Sequence, residues 1–179
     1  VLGLATLEVR GGKADAAVKR LEAFIEAHPQ LPAARLSLAE LLAKTGAPDE
    51  RVTEVLVNAV RDEPAQPALR QALIDQRLRL GQVPAARQAA QEAVAALPQE
   101  PDLLERLARA QLAAGDRAQA GKTYNQLTTL APARASGWLG LAQLRFLDKD
   151  LAGAEREVKR ALEAEPASAN AQRLLIQLT

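Results

Sequence analysis

The 179 residues include no cysteine, no methionine, a single histidine and only four aromatic side chains, two Phe, one Trp and one Tyr. Without cysteine the chain can form neither a disulfide nor a thiolate metal site, which suits a reducing cytosol and an oxidising envelope equally. With so few rings, a core must be assembled from Leu, Ala, Val and Ile at close backbone approach, and that favours packed helices. An excess of one charge is missing too. The 23 Lys and Arg against 22 Asp and Glu leave +1, short of the concentrated positive field that phosphate neutralisation requires. No run approaches the ~18 apolar residues of a membrane-spanning helix. The opening VLGLATLEVR has neither an initiator Met nor the basic-then-apolar pattern of a signal peptide. What is present, 48% apolar and 25% charged residues, is the balance of a soluble, folded chain.

Catalytic constellations are equally scarce. His28 has no second histidine or cysteine to close a metal site and no orienting group for acid–base work, so a solvent-facing structural role is expected. Carboxylate pairs such as Asp62–Glu63 and Glu155–Glu157 read as solvated helix surface. Gly11-Gly12 is followed by KAD and lacks the strand-to-helix context of a phosphate loop. Neither an enzymatic activity nor a cofactor is expected.

The informative signal is periodic. Pro29, Pro64, Pro98, Pro132 and Pro166 stand 35, 34, 34 and 34 residues apart. Gly12, Gly46, Gly81 and Gly115 form a second ladder with Lys149 in its next slot, and Leu4, Leu38, Leu73, Leu107, Leu141 and Leu175 form a third. Between these marks apolar residues recur at three and four, first from the Leu ladder to the Gly, then from Ala17, Val52, Ala86, Ala120 or Ala154 to the Pro. Each unit is therefore two amphipathic helices, A and B. The Gly breaks helix A, Asp116 or Asp150 can cap helix B, and Pro32, Pro67 and Pro101 sit where a first turn tolerates a missing N–H. The spacing predicts A helices at about 2–11, 33–45, 67–80, 101–114, 135–148 and 169–178, and B helices at about 14–28, 49–62, 84–96, 117–130 and 151–164.

This grammar resembles the tetratricopeptide repeat, W-x2-L-G-x2-Y, then A-x3-F, then P. Trp138, Leu141, Ala142, Ala154, Ala161 and Pro166 match it in the fifth unit; Leu104, Leu107, Ala108, Gly115, Ala120, Tyr124 and Pro132 match it in the fourth. The Tyr slot departs, holding Glu8, Leu42, Arg77, Gln111 and Arg145, and Ile74 fills a small-residue slot. The resemblance implies an all-α, right-handed superhelical solenoid over 1–179: five units at about 1–31, 32–66, 67–100, 101–134 and 135–168, plus the first helix of a sixth at 169–179. Val1 falls on a Trp slot and Thr179 inside a helix, so a segment of a longer array is expected.

The resemblance also implies a function carried by surface. In such solenoids the A helices line a concave groove that binds a peptide or helix of a partner protein, and offsets from the Trp slot place Glu40, Asp75, Leu78, Glu105, Arg109, Leu112, Leu139, Gln143 and Phe146 there. Leu78 and Leu112 serve either partner contact or the packing of adjacent A helices. Phe146 is the expected anchor; were it to pack near Gln172 and Ile176, the anchor would be Leu139. The Lys and Asn set with which chaperone-binding relatives clamp a C-terminal carboxylate is absent, since Leu2-Thr6, Leu36-Glu40 and Gln71-Asp75 take its places. The Ala-, Leu-, Gln- and Arg-rich texture is similar to bacterial arrays in envelope lipoproteins and exopolysaccharide secretion, which favours a periplasmic or envelope setting over the cytoplasm. Two alternatives stay open. One is a nucleic-acid-binding repeat of pentatricopeptide type, prompted by TYNQLTTL at 123–130 although that string sits in a B helix. The other is the docking segment of an enzyme whose catalytic domain lies elsewhere.

Overall fold

A computed structural model describes residues 13–29 and 31–178. Among them ten α-helices follow one another without a strand: α1 Ala14–Ala27, α2 Pro32–Lys44, α3 Asp49–Asp62, α4 Pro67–Arg79, α5 Val83–Ala96, α6 Pro101–Ala113, α7 Arg117–Leu130, α8 Ala135–Leu147, α9 Leu151–Ala164 and α10 Ala169–Leu178. The helix expected at about 2–11 lies outside the described residues, with Leu2, Thr6, Glu8, Val9 and Gly12. Every other expected helix is present, its ends within one residue of expectation.

The punctuation acts as its chemistry dictates. Gly46, Gly81 and Gly115 adopt φ of +74°, +68° and +80°, and Lys149 in the same slot adopts +62°. The residue after each turns its N–H back to a carbonyl five positions earlier: Ala47 to Leu42 at 3.0 Å, and Gln82 to Arg77, Asp116 to Gln111 and Asp150 to Arg145 at 2.9 Å. That is the Schellman closure of an A helix. Asp116 Oδ1 accepts from the Gln119 N–H at 3.1 Å and Asp150 Oδ1 from the Gly153 N–H at 2.8 Å, capping α7 and α9. A second cap joins one unit to the next. The Trp-slot side chain reaches back six residues to the ladder-proline carbonyl: Arg35 to Pro29 at 2.6 Å, Arg70 to Pro64 at 2.7 Å, Trp138 to Pro132 at 3.3 Å and Gln172 to Pro166 at 3.0 Å.

The chain forms two compact units, Val1–Gln82 and Val83–Thr179. In the first, Val18, Leu21, Leu38, Leu42, Val52, Leu56 and Leu73 make a core in which α1 to α4 meet. In the second, Leu104, Ala108, Ala120, Tyr124, Leu127 and Leu144 join α6, α7 and α8, and Ala135, Ala142, Val158, Ala161 and Ala171 join α8, α9 and α10. Within each unit helices touch their successors, and α2 touches α4 as α6 touches α8. The Ala slots at Ala17, Ala86, Ala120 and Ala154 are fully buried, the close approach that an aromatic-poor core requires. Ile74 is also fully buried. The Tyr slot is solved three ways: Leu42 is buried, Gln111 is buried with Thr123 Oγ1 donating to it at 2.8 Å, and exposed Arg145 pairs with Asp150 at 3.6 Å.

Candidate functional site

Within Val83–Thr179 a groove of about 340 Å³ runs between α8 and α10, with Leu139, Ala142, Gln143 and Phe146 on one wall, Asn170, Leu174 and Leu178 on the other and Ala154 beneath. These positions fall three and four apart on each helix, so they share a face. Phe146 is 52% exposed, the exposure of a ring turned toward open space rather than packed under a neighbour. No charged side chain lines the groove. Arg173 stands at its rim, donating to Asn170 Oδ1 at 2.6 Å.

Leu139, Gln143 and Phe146, expected on one face, are thus brought together. Glu105, Arg109 and Leu112 are on α6, outside this lining. Leu112 packs, partly buried, on the core around Leu104, Tyr124 and Leu144. The Tyr124 hydroxyl has its pKa pushed up to about 12, first by burial and then by the charge of Glu105, with that of Arg109 opposing. The Tyr124 ring fits because Gly140 faces it from α8, where any Cβ would overlap the ring.

In Val1–Gln82 the corresponding space is smaller, about 210 Å³ between α2 and α4, and Glu40 and Asp75 are among its lining residues. Leu78 is partly buried on α4 and does not line it. Arg79 at its edge pairs with Asp49, and Gln76 Nε2 donates to the same carboxylate at 3.4 Å. His28 is exposed at the end of α1, tilted on the Phe24 ring at 4.5 Å between centroids. Among the described residues no group of three or more His, Cys, Asp or Glu is placed to hold a metal ion, and no helix is long and apolar enough to cross a membrane.

A sequence model of the tetratricopeptide repeat matches residues 2–56, 72–135 and 105–171. The chain belongs to the tetratricopeptide-repeat family. Its fold is that family's all-α helical repeat, seen in the crystal structure of TTC0263, a thermophilic tetratricopeptide-repeat protein of Thermus thermophilus, at TM-score 0.74 and 20% identity over 99% of this chain and 96% of that one. A tetratricopeptide-repeat protein of Parabacteroides merdae ATCC 43184 aligns at TM-score 0.78 and 13% identity, covering 99% of this chain and 70% of that one. YrrB, described as a tetratricopeptide-repeat protein with an unusual peptide-binding site, aligns at 0.68 and 14%, covering 97% and 89%. A comparison with curated protein sequences found no match. Tetratricopeptide-repeat proteins are in general scaffolds for protein interaction rather than catalysts.

Membership in the tetratricopeptide-repeat family makes visible a signal that offsets from the Trp slot missed. Tyr124 and Gly140, Leu56 and Ala72, and Val158 and Leu174 are each 16 residues apart. Each pair sets a B-helix residue against the next A helix, and their sizes are reciprocal. Leu56 and Ala72 both line the α2–α4 groove, and Leu174 lines the α8–α10 groove.

Proposed function

We propose that the chain is a protein–protein interaction scaffold, without catalysis or cofactor, whose α8–α10 groove receives the apolar side chains of a peptide or helix of a partner protein. The observation that carries this reading is Phe146, 52% exposed in a groove whose walls also hold Leu139, Leu174 and Leu178. A large ring kept half in water costs solvation that only partner contact recovers, and such rings surrounded by aliphatic side chains are typical interface hot spots. The volume, about 340 Å³, is at the low end of the ~300–1,000 Å³ of ligand sites, which suits two or three anchor side chains better than a cofactor. A bacterial envelope setting belongs to the same proposal and is read from where the tagged full-length protein fractionates.

The test is selection of peptides from a displayed library against the chain. Binders should carry paired apolar anchors, and Phe146→Ala should weaken them about 30-fold, the equivalent of a ~2 kcal/mol hot spot, with the melting curve unmoved. If Phe146→Ala and Leu139→Ala both leave affinity unchanged, the groove is not the binding surface.

A further inference from the structure

Four ladder prolines have their carbonyl capped by a Trp-slot side chain, and the fifth does not. Leu104 fills that slot six residues after Pro98, and its side chain has no donor to offer the carbonyl. At this place an open groove of about 870 Å³ lies between α5 and α7, lined by Val94, Pro98, Leu104 and Leu130 with Lys122 and Gln126 along α7. A leucine is shorter than the arginine, glutamine or tryptophan of the other slots, and the space where their planar donors lie is open.

The next unit shows what that space accepts. Trp138, Pro132 and Arg160 are the register counterparts of Leu104, Pro98 and Gln126, 34 residues on. The indole N–H of Trp138 donates to the Pro132 carbonyl at 3.3 Å, and the Arg160 guanidinium stands 5.4 Å from the ring centroid. We propose that the α5–α7 groove docks a tryptophan side chain of a partner protein, its indole N–H donating to the Pro98 carbonyl and its ring lying against Val94, Leu104 and Leu130. Lys122, one turn before Gln126 on α7, supplies the cation for the ring face. An arginine in the same place would lack the counter-charge that Glu63 and Asp62 give Arg35, because this lining holds one cation and no carboxylate. The site is separate from the α8–α10 groove and does not rest on it.

The test is a titration of the ¹⁵N-labelled chain with N-acetyl-tryptophanamide, beside N-acetyl-leucinamide and N-acetyl-argininamide at equal concentrations. The expected result is saturable shifts from the indole alone, confined to the amides of 94–104 and 122–130. Gln126→Arg should tighten the indole roughly two- to fivefold and Lys122→Ala should weaken it by a similar factor, the scale of an exposed cation–π contact. Leu104→Trp should remove the shifts by filling the groove from within; if it does not fold, the two exposed variants decide. Equal shifts from the leucine or arginine probe, shifts mapping to α8 and α10, or affinity indifferent to both exposed variants would each overturn the proposal.

Discussion

The α2–α4 groove and the α8–α10 groove occupy the same register of the repeat and are built differently on a shared floor. Leu36 answers to Leu139, Ala39 to Ala142 and Val52 to Ala154, all of them apolar. Around that floor Glu40 answers to Gln143, Ala43 to Phe146, Ala72 to Leu174 and Gln76 to Leu178. The Ala39/Ala142 and Val52/Ala154 slots are what stacking demands, since small or aliphatic residues fill them where A helix meets B helix. The rim is free to vary, so specificity is written there: carboxylates and an amide in one groove, a ring and two leucines in the other.

The comparison depends on how closely α8 approaches its neighbours, and Gly140 is where it can be broken most severely. By helix propensity alone Gly→Ala stabilises by up to ~1 kcal/mol. A Cβ at Gly140 overlaps the Tyr124 ring, which is 3% exposed and has little room to withdraw. Gly140→Ala should therefore destabilise by about 3 kcal/mol. Gly121→Ala is the control, because its Cβ meets Leu144 Cδ1 at an ordinary 3.5 Å and the propensity gain should survive. Urea melts of both variants check the pair; a stabilised Gly140→Ala would mean that α7 and α8 are further apart than described.

Tyr124 offers the next largest effect, through pH. Its hydroxyl pKa is raised from 10.0 to about 12 in the folded chain, so the unfolded chain gives up this proton first. The neutral phenol's contribution is present below pH ~10 and is lost as pH rises from 10 to about 12. Two pKa units correspond to about 2 to 3 kcal/mol. The stability difference between wild type and Tyr124→Phe should shrink by that order across the window. A difference that stays flat would place the hydroxyl in water.

Much of this was legible in the chain itself, and the physical reason is that the repeat uses one signal many times. Gly46, Gly81 and Gly115 each occupy the left-handed position that closes an A helix, so among the described residues the ladder and its Lys149 slot located the turns that end the A helices. Phe146, Gln143 and Leu139 line one groove because three- and four-residue offsets on a helix define a face. Pairings across helices were not legible in that way. The sizes of Tyr124 and Gly140 make sense only together, and the reach of Arg35, Arg70, Trp138 and Gln172 to a proline carbonyl joins chemically unlike residues that no consensus groups. Glu105 and Arg109 lie outside the α8–α10 groove for a related reason: that space is enclosed by two A helices, and both residues are on a third, α6.

A smaller change sharpens the comparison by making one groove resemble the other. Gln143→Glu with Leu178→Gln gives the α8–α10 groove the rim of its counterpart at Glu40 and Gln76. Gln143 is exposed, whereas Leu178 packs partly buried on the core around Val158, so the melt should fall by about 1 kcal/mol, nearly all of it from Leu178→Gln. Affinity for peptides selected on the wild-type groove should fall about tenfold, or ~1.4 kcal/mol. Unchanged affinity would show that the rim does not discriminate and that Phe146 acts alone.

The smallest expected effect concerns the turns that close the two outer walls, Gly46 after α2 and Lys149 after α8. Both have a left-handed backbone, +74° and +62°. An L side chain at this φ brings Cβ against the following carbonyl, a cost of roughly 1–2 kcal/mol that glycine escapes, while glycine's freer unfolded chain returns part of the gain. Lys149→Gly should accordingly stabilise the chain by about 0.5 to 1 kcal/mol. The reverse change isolates the cause: Gly46, Gly81 and Gly115 have no atom within 4 Å of a built Cβ, so Gly46→Ala clashes with nothing and should still destabilise by about 1 kcal/mol through backbone conformation alone. Thermal melts at matched buffer check both. A neutral Lys149→Gly beside a destabilising Gly46→Ala would mean that the Lys149 side chain offsets its own strain, and the turn after α8 would then owe its geometry to more than the glycine slot.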